Sequence, residues 1–162
     1  MGNAMKLIHF AAAAVFAALS AAPALAQDVV TAKDTQSVLD ALAAAGYQGA
    51  ELTKSDSGRS SIKVQMSGSP TYIDFYDCAT DFTDCYTLLF IYAMDLTDGT
   101  TLEKANEWNA QEITGRVSLD RDRDPAIDYA FSTFEGVSQS VFEQNLKLWD
   151  KKVGQAKDFF DF

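Results

Sequence analysis

The sequence predicts an α+β fold in which an antiparallel β-sheet carries helices packed on one face. Some segments have apolar residues at helical spacing, and others have apolar residues at every second position, as strands do. Along the chain these segments follow the order α-β-β-β-α-β-β-α. Turn-forming residues separate neighbouring strand segments, which favours hairpins. No linker, repeat or low-complexity stretch divides residues 27–162, so we expect a single domain there.

The first helix is expected over Thr31–Gly46, with its N-cap at Thr31 or Asp34. Its apolar side chains recur on one helical face, as they do in a helix that packs on a core. These side chains are Val38, Leu39 and Leu42. A short additional strand is indicated near residues 50–52.

Three longer strand segments follow. Ser61–Met66 and Thr71–Asp77 alternate apolar and polar side chains, and residues 68–70 between them have the composition of a turn. Tyr86–Met94 is apolar on both faces, with Leu89 and Ile91 on the second face. Such a strand is central and covered on both sides, or else it covers one side with a partner.

The second helix is expected over Thr101–Gln111, because Thr100-x-x-Glu103 has the pattern of a capping box. Its predicted core positions are Leu102, Ala105 and Trp108. Two alternating segments follow at Thr114–Leu119 and Ala126–Phe131, and we expect them to pair. Their inward side chains would be Val117, Leu119, Ile127, Tyr129 and Phe131.

The last helix has the strongest periodic signal in the chain, since its apolar stripe extends over about five turns. We expect it to begin at Ser138 or Ser140, and Ser140-x-x-Glu143 is a second capping-box pattern. The stripe consists of Phe142, Leu146, Trp149, Val153, Ala156 and Phe160.

Residues 1–26 have the pattern of an export signal, and Met1 and Met5 are equally good starts for it. Lys6 gives the basic start, an apolar run follows, and cleavage is expected after Ala26. Cleavage would remove His9, the only histidine, which excludes most hydrolase and zinc chemistry. We therefore expect a periplasmic or secreted protein that has no membrane insertion after cleavage, since no later segment approaches about 20 apolar residues.

The cleaved chain would hold 12 basic and 23 acidic residues, a net charge of −11. This charge repels nucleic acid and anionic lipid, and it favours solubility or a basic partner. Export and exactly two cysteines predict a disulfide between Cys78 and Cys85. The alternatives are two free thiols, a metal pair or a redox-active pair, although six intervening residues differ from the Cys-x-x-Cys spacing.

Two groups of carboxylates could carry chemistry. Asp120, Asp122 and Asp124 alternate as calcium ligands do, but Pro125 and Phe131 replace the Gly and Glu that such a loop requires. They are a weak calcium candidate beside the interpretation as a charged hairpin turn, and no cofactor is expected. The second group could act in acid–base catalysis or form a solvated acidic face. It comprises Asp74, Asp77, Asp81 and Asp84.

The combined run of Thr101–Asn109 and Gly115–Asp120 resembles the YbjN-domain family of bacterial proteins. The resemblance continues to the last helix and covers residues 28–160. It implies a type III secretion chaperone-like α+β fold and a role in sensory transduction, and it carries no catalytic residue. Trp108 and Asn109 have two interpretations within it, namely packing and capping of the second helix or binding of a partner.

The leading functional hypothesis is an exported, non-enzymatic binding or regulatory module. Its partner would be an unknown protein or a second copy of the chain, bound through the sheet face that carries Leu89 and Ile91. The alternative is a periplasmic inhibitor of a basic hydrolase such as lysozyme, which the acidic charge and the disulfide would suit. A third hypothesis is an enzyme that uses carboxylates as catalytic groups, but the sequence indicates no substrate for it.

Overall fold

The computed structural model describes residues 29–55 and 57–162, and the predicted export signal lies outside them. The described chain contains three helices and antiparallel strands, which confirms the predicted α+β class. In chain order the elements are β1 Val29–Val30, α1 Thr35–Ala44, β2 Glu51–Lys54, β3 Ser60–Met66, β4 Ser69–Tyr76, β5 Thr87–Ala93, α2 Leu102–Gln111, β6 Arg116–Leu119, β7 Pro125–Ser132, β8 Val137–Ser138 and α3 Gln139–Phe160.

Six strands form one sheet in the order β2-β3-β4-β5-β7-β6, and β1 pairs with β8 in a separate ribbon. Every pairing in both sheets is antiparallel. β5 lies inside the large sheet between β4 and β7, as its apolar sequence predicted. The sequence did not reveal β1 and β8, because a two-residue strand is too short to show a period.

Helices cover one face of the sheet, and the core lies between this face and the helices. The predicted apolar stripe of α3 is buried at every position. Trp149 of α3 lies over the sheet, with its ring centroid 6.0 Å from that of Phe90 and 6.5 Å from that of Tyr129. Val38 and Leu42 of α1 are also fully buried in this core. Within the described ranges, no helix combines the length and hydropathy needed to cross a bilayer.

Helix α2 packs at the end of α3, where the Trp108 ring centroid lies 5.4 Å from that of Phe159. Ala105 and Trp108 are buried as predicted, but Leu102 is 67% exposed, so that prediction is wrong. Each three-residue step rotates a side chain by about −60° around the helix, so Leu102 lies roughly 120° from Trp108. The capping box is also shifted, because the Thr101 hydroxyl, not that of Thr100, accepts the Lys104 N–H.

The other two helices begin at one of the residues predicted for each. The Asp34 carboxylate caps α1 by accepting the Gln36 N–H at 2.9 Å. The Ser138 hydroxyl caps α3. The predicted Ser140-x-x-Glu143 capping box is wrong, since Glu143 accepts instead from the Gln139 side chain within the first turn.

The turn predicted at residues 68–70 lies one residue earlier. Ser67 and Gly68 form a two-residue hairpin turn in which both φ angles are positive, at 47° and 74°, as a type I′ turn requires. Pro70 belongs to β4, opposite Gln65. Its missing N–H is tolerated because the β4–β5 pairing begins only at Tyr72.

A matched pair of leucines on α3 tests the one-sided core. Leu146 is fully buried, whereas Leu148 is 36% exposed. Leu146→Ala should lower the free energy of unfolding by about 2–5 kcal/mol, because it removes buried methyl groups and leaves a cavity. Leu148→Ala, with the same chemical change, should cost less than about 1 kcal/mol. Urea denaturation followed by tryptophan fluorescence measures both, and equal losses would contradict the described packing.

Candidate functional site

Within residues 29–55 and 57–162, no helix packs on the face of the sheet opposite the helices. Side chains alternate between the two faces of a strand, so the residues between the buried positions of each strand point to this second face. We call this surface the open face. Its residues on the six strands, placed by the pairing register, are Glu51, Thr53, Ser61, Lys63, Gln65, Pro70, Tyr72, Asp74, Tyr76, Thr87, Leu89, Ile91, Ala93, Arg116, Ser118, Ala126, Asp128, Ala130 and Ser132.

One row of the open face crosses all six strands. The strand registers place six side chains directly opposite one another in turn. From the β2 edge to the β6 edge they are Glu51, Lys63, Tyr72, Ile91, Asp128 and Arg116. The row therefore has an aromatic and an aliphatic residue at its centre and a pair of opposite charges at each end. At the β6 end, Arg116 and Asp128 form an ion pair at 2.9 Å.

The apolar centre of the open face is only partly covered. Tyr72 is 40% exposed, and Leu89 and Ile91 are half-buried. Leu89 lies between Asp74 and the exposed Ala130 in the neighbouring row. A shallow groove of about 260 Å³ beside this centre is lined by Thr53, Lys54, Ser55, Ser61, Tyr72, Asp74 and Ile91. The structure thus places the two predicted binding residues on β5, Leu89 and Ile91, on an accessible surface.

An aromatic–arginine stack borders one end of the open face. The guanidinium carbon of Arg59 lies 3.8 Å from the ring centroid of Tyr76 and 5.7 Å from that of Phe82. Phe82 belongs to the loop that the Cys78–Cys85 disulfide closes, and this disulfide confirms the prediction. Sequence reasoning missed Arg59, because no periodic or motif signal links it to a tyrosine seventeen positions later.

The carboxylates near the disulfide serve the loop rather than a catalytic pair. Asp81 accepts from the N–H and the hydroxyl of Thr83. The Thr83 hydroxyl, and then its N–H, hold the pKa of Asp81 below its usual range. Asp77 accepts from the Thr87 hydroxyl at 2.6 Å. Asp74 lies apart from this loop on the open face, so the predicted acidic cluster is divided.

The calcium candidate is a hairpin turn between β6 and β7. Asp120 Oδ1 accepts the N–H groups of Asp122 and Asp124, each at 2.9 Å. Asp124 Oδ1 accepts the N–H of Leu96. In the part of the chain that the structure describes, no three His, Cys, Asp or Glu side chains are placed to hold a metal ion. These contacts are those of a charged hairpin turn whose carboxylates accept backbone N–H groups.

The side chains of Trp108, which is buried, and Asn109, which is exposed, both bind the backbone of neighbouring residues. Trp108 is 1% exposed, and its Nε1 donates to the carbonyl oxygen of Gly115. The Asn109 amide group donates to the Val117 carbonyl at 3.1 Å and accepts the Val117 N–H at 2.8 Å. Asn109 thus pairs with β6 as a further strand would and closes part of that sheet edge. The packing interpretation accounts for the bonds of both side chains, and Asn109 is exposed at the β6 edge. Leu89 and Ile91 are half-buried on the open face.

The family model of YbjN, described as "Putative bacterial sensory transduction regulator", matches residues 34–162. This match covers every element from α1 to α3. The chain belongs to the YbjN family. The YbjN assignment confirms the resemblance drawn from the sequence and supports a regulatory domain of the sensory-transduction type. Neither the search of curated proteins nor that of solved structures found a match.

Asn109 gives a direct test of the closed β6 edge. Asn109→Ala should lower the free energy of unfolding by about 1–3 kcal/mol, because it leaves the Val117 N–H and carbonyl without these partners. The Val117 amide should also exchange faster with deuterium. Asn106→Ala, on the exposed side of the same helix, is the matched control and should leave both quantities nearly unchanged. An unchanged Val117 exchange rate in the Asn109 variant would argue against the edge role.

The disulfide should stabilise the fold by restricting the unfolded chain. The bridge joins residues seven apart, and closing so short a loop contributes about 2.5 kcal/mol in the chain-entropy account. A Cys78→Ser, Cys85→Ser double variant should lose roughly that amount in urea denaturation. Its hydrogen exchange should rise in residues 77–87 and stay unchanged in α3. Loss of protection throughout the chain would mean that the bridge holds more than its own loop.

Proposed function

We propose that this YbjN-family chain is an exported, non-enzymatic regulatory module that acts by binding a protein through its open face. The observation that carries this proposal is the apolar centre formed by Tyr72, Leu89 and Ile91 on the interior strands β4 and β5. Partly exposed apolar groups at the middle of a sheet face are typical of a surface that becomes covered. The family's regulatory description agrees with a binding role.

Covering this centre would contribute binding free energy without a catalytic group. Burial of apolar surface contributes about 25 cal/mol per Å². The acidic side chains that could otherwise support chemistry are used locally, as Asp81 and Asp120 accept backbone N–H groups of their own loops. These contacts favour a structural role for the carboxylates and leave the open face as the surface best suited to function.

Export is part of the proposal and rests on two sequence features. Residues 1–26 have the order of a basic start, an apolar run and a small-x-small cleavage pattern. The Cys78–Cys85 disulfide suits an oxidising compartment such as the periplasm. N-terminal sequencing of the protein recovered from a periplasmic extract should give Gln27 as the first residue, and a cytoplasmic chain that starts at Met1 or Met5 would contradict export.

A second candidate function is inhibition of a basic hydrolase such as lysozyme. The observation that favours it is the pair of exposed carboxylates, Asp81 and Asp84, on the loop that the disulfide closes. Such a loop would present fixed negative charge to the basic surface of the hydrolase. Tight, stoichiometric inhibition of lysozyme that is lost in an Asp81→Asn, Asp84→Asn variant would decide for this function and against the open-face module.

The open face itself is tested by a pair of isoleucines. Ile91 lies at its centre, whereas Ile113 is fully exposed in the loop after α2. In native mass spectrometry, we expect the protein isolated from cells to have the mass of a complex with a protein partner or with a second copy of the chain. Ile91→Lys should weaken that complex by at least about tenfold, since it places a charge in the desolvated centre. Ile113→Lys, the same change elsewhere, should leave the complex intact.

A folding check keeps this test decisive. The urea midpoint of Ile91→Lys should stay close to that of the parent chain. The milder Ile91→Thr, which keeps the β-branched shape, should show a smaller effect in the same direction if the lysine variant unfolds. A parent chain found only as a bare monomer, or a complex that both isoleucine variants form equally well, would overturn the proposed function.

A further inference from the structure

We infer that the occupant of the open face is a second copy of this chain, packed sheet against sheet about a two-fold axis between β4 and β5. This inference rests on the proposed function, because it names the partner of the same surface. Its basis is the order of charges along the row that crosses the six strands. That order is complementary to its own reverse.

The two-fold axis would lie between the two facing sheets and run parallel to the strands. It would pass between β4 and β5, which are the two middle strands of each sheet. Facing copies would then present their rows in opposite directions. Glu51 of one copy would face Arg116 of the other, and Lys63 would face Asp128. At the centre, Tyr72 of each copy would face Ile91 of the other. Within this row, each charge meets an opposite charge and each apolar residue meets an apolar one. In the neighbouring row, the same axis places Asp74 of each copy opposite Leu89 of the other.

The distances of ordinary sheet packing allow these contacts. Two sheets pack about 10 Å apart, and neighbouring strands are about 4.8 Å apart, so Lys63 and Asp128 lie roughly 7 Å from the axis on either side. The usual angle of about 30° between packed sheets displaces the facing positions by about 4 Å at that distance. A lysine side chain spans this displacement. The more distant pair of Glu51 and Arg116 would lie at the solvated rim.

The distribution of charge over the molecule also favours a second copy over a basic partner. The whole chain has 23 acidic and 13 basic residues. The strands contribute only three acidic and two basic side chains to the open face. Two acidic molecules repel each other least where they meet through their most neutral surface. A strongly basic protein would gain more from the other surfaces, where the acidic excess lies.

Charge reversal on single strands tests the pairing. Lys63→Glu places two carboxylates opposite Asp128 groups in each dimer, and Asp128→Lys places two lysines opposite Lys63 groups. Each variant alone should dimerise at least about tenfold more weakly in sedimentation velocity, because like charges face each other twice. An equimolar mixture should recover the dimer as a heterodimer, since both contacts then join opposite charges. The recovery distinguishes a direct contact from damage to either fold.

Matched controls come from the opposite side of the molecule. Lys151 and Asp158 are exposed on α3, so Lys151→Glu and Asp158→Lys make the same charge changes away from the open face. Both should dimerise as the parent chain does. Because Asp128→Lys also removes the ion pair with Arg116, its urea midpoint is measured beside that of Arg116→Gln. Asp128→Lys and Arg116→Gln should be similarly stable. Of the two, only Asp128→Lys should need the Lys63→Glu variant as a partner in order to dimerise.

The outcomes separate this inference from the proposed function. Dimers that persist in both single variants, or a mixture that stays monomeric, would overturn the second-copy inference. A parent chain that is monomeric alone at about 100 µM, but binds a different protein in a manner sensitive to Ile91→Lys, would overturn the inference and retain the proposed function. A parent chain that binds neither a copy nor another protein would overturn both.

Discussion

The packing of α3 on one face of the sheet is the contact on which the rest of the structure depends. The 22 residues of α3 span about 33 Å, which is enough to reach across a six-stranded sheet. Trp149 lies at its middle, against Phe90 of β5 and Tyr129 of β7. The burial of Phe142 near one end and Phe160 at the other extends the core along the whole helix. A single helix thus gathers strands that are far apart in the sequence, and α1 and α2 pack around it.

This one-sided cover explains why the open face exists. α1 and α2 pack beside α3 or at the β6 edge, so the described chain places no helix over the second face. The β6 edge is partly closed by Asn109, which binds the backbone of Val117. The second face therefore offers a broad accessible surface whose centre is apolar. The proposed contact would use the sheet surface that the helices of the described chain leave uncovered.

The loops at the ends of the strands hold their shape through acidic side chains. Asp120 and Asp124 accept backbone N–H groups around the β6–β7 turn. Gly99 packs so closely on this turn that a Cβ atom there would lie 2.6 Å from the Asp122 carbonyl oxygen. In the disulfide loop, Asp81 likewise accepts hydrogen bonds from the N–H and the hydroxyl of Thr83. Motif reasoning assigned these residues to possible metal or acid–base sites because a carboxylate that caps a turn has the same sequence signature as one that binds a ligand.

The sequence alone determined the class of the fold, the long elements and the inward residues of the main strands. These follow from local periodicity, which the α3 stripe and the alternation of β3 show most clearly. It also predicted the disulfide, because two cysteines allow a single pairing within the chain. The cap of α2, the exposure of Leu102 and the pairing of β1 with β8 required the tertiary structure, since each depends on which residues the packed elements bring together. The same holds for the row on the open face. Its six members come from six strands, and only the strand order and register make them neighbours.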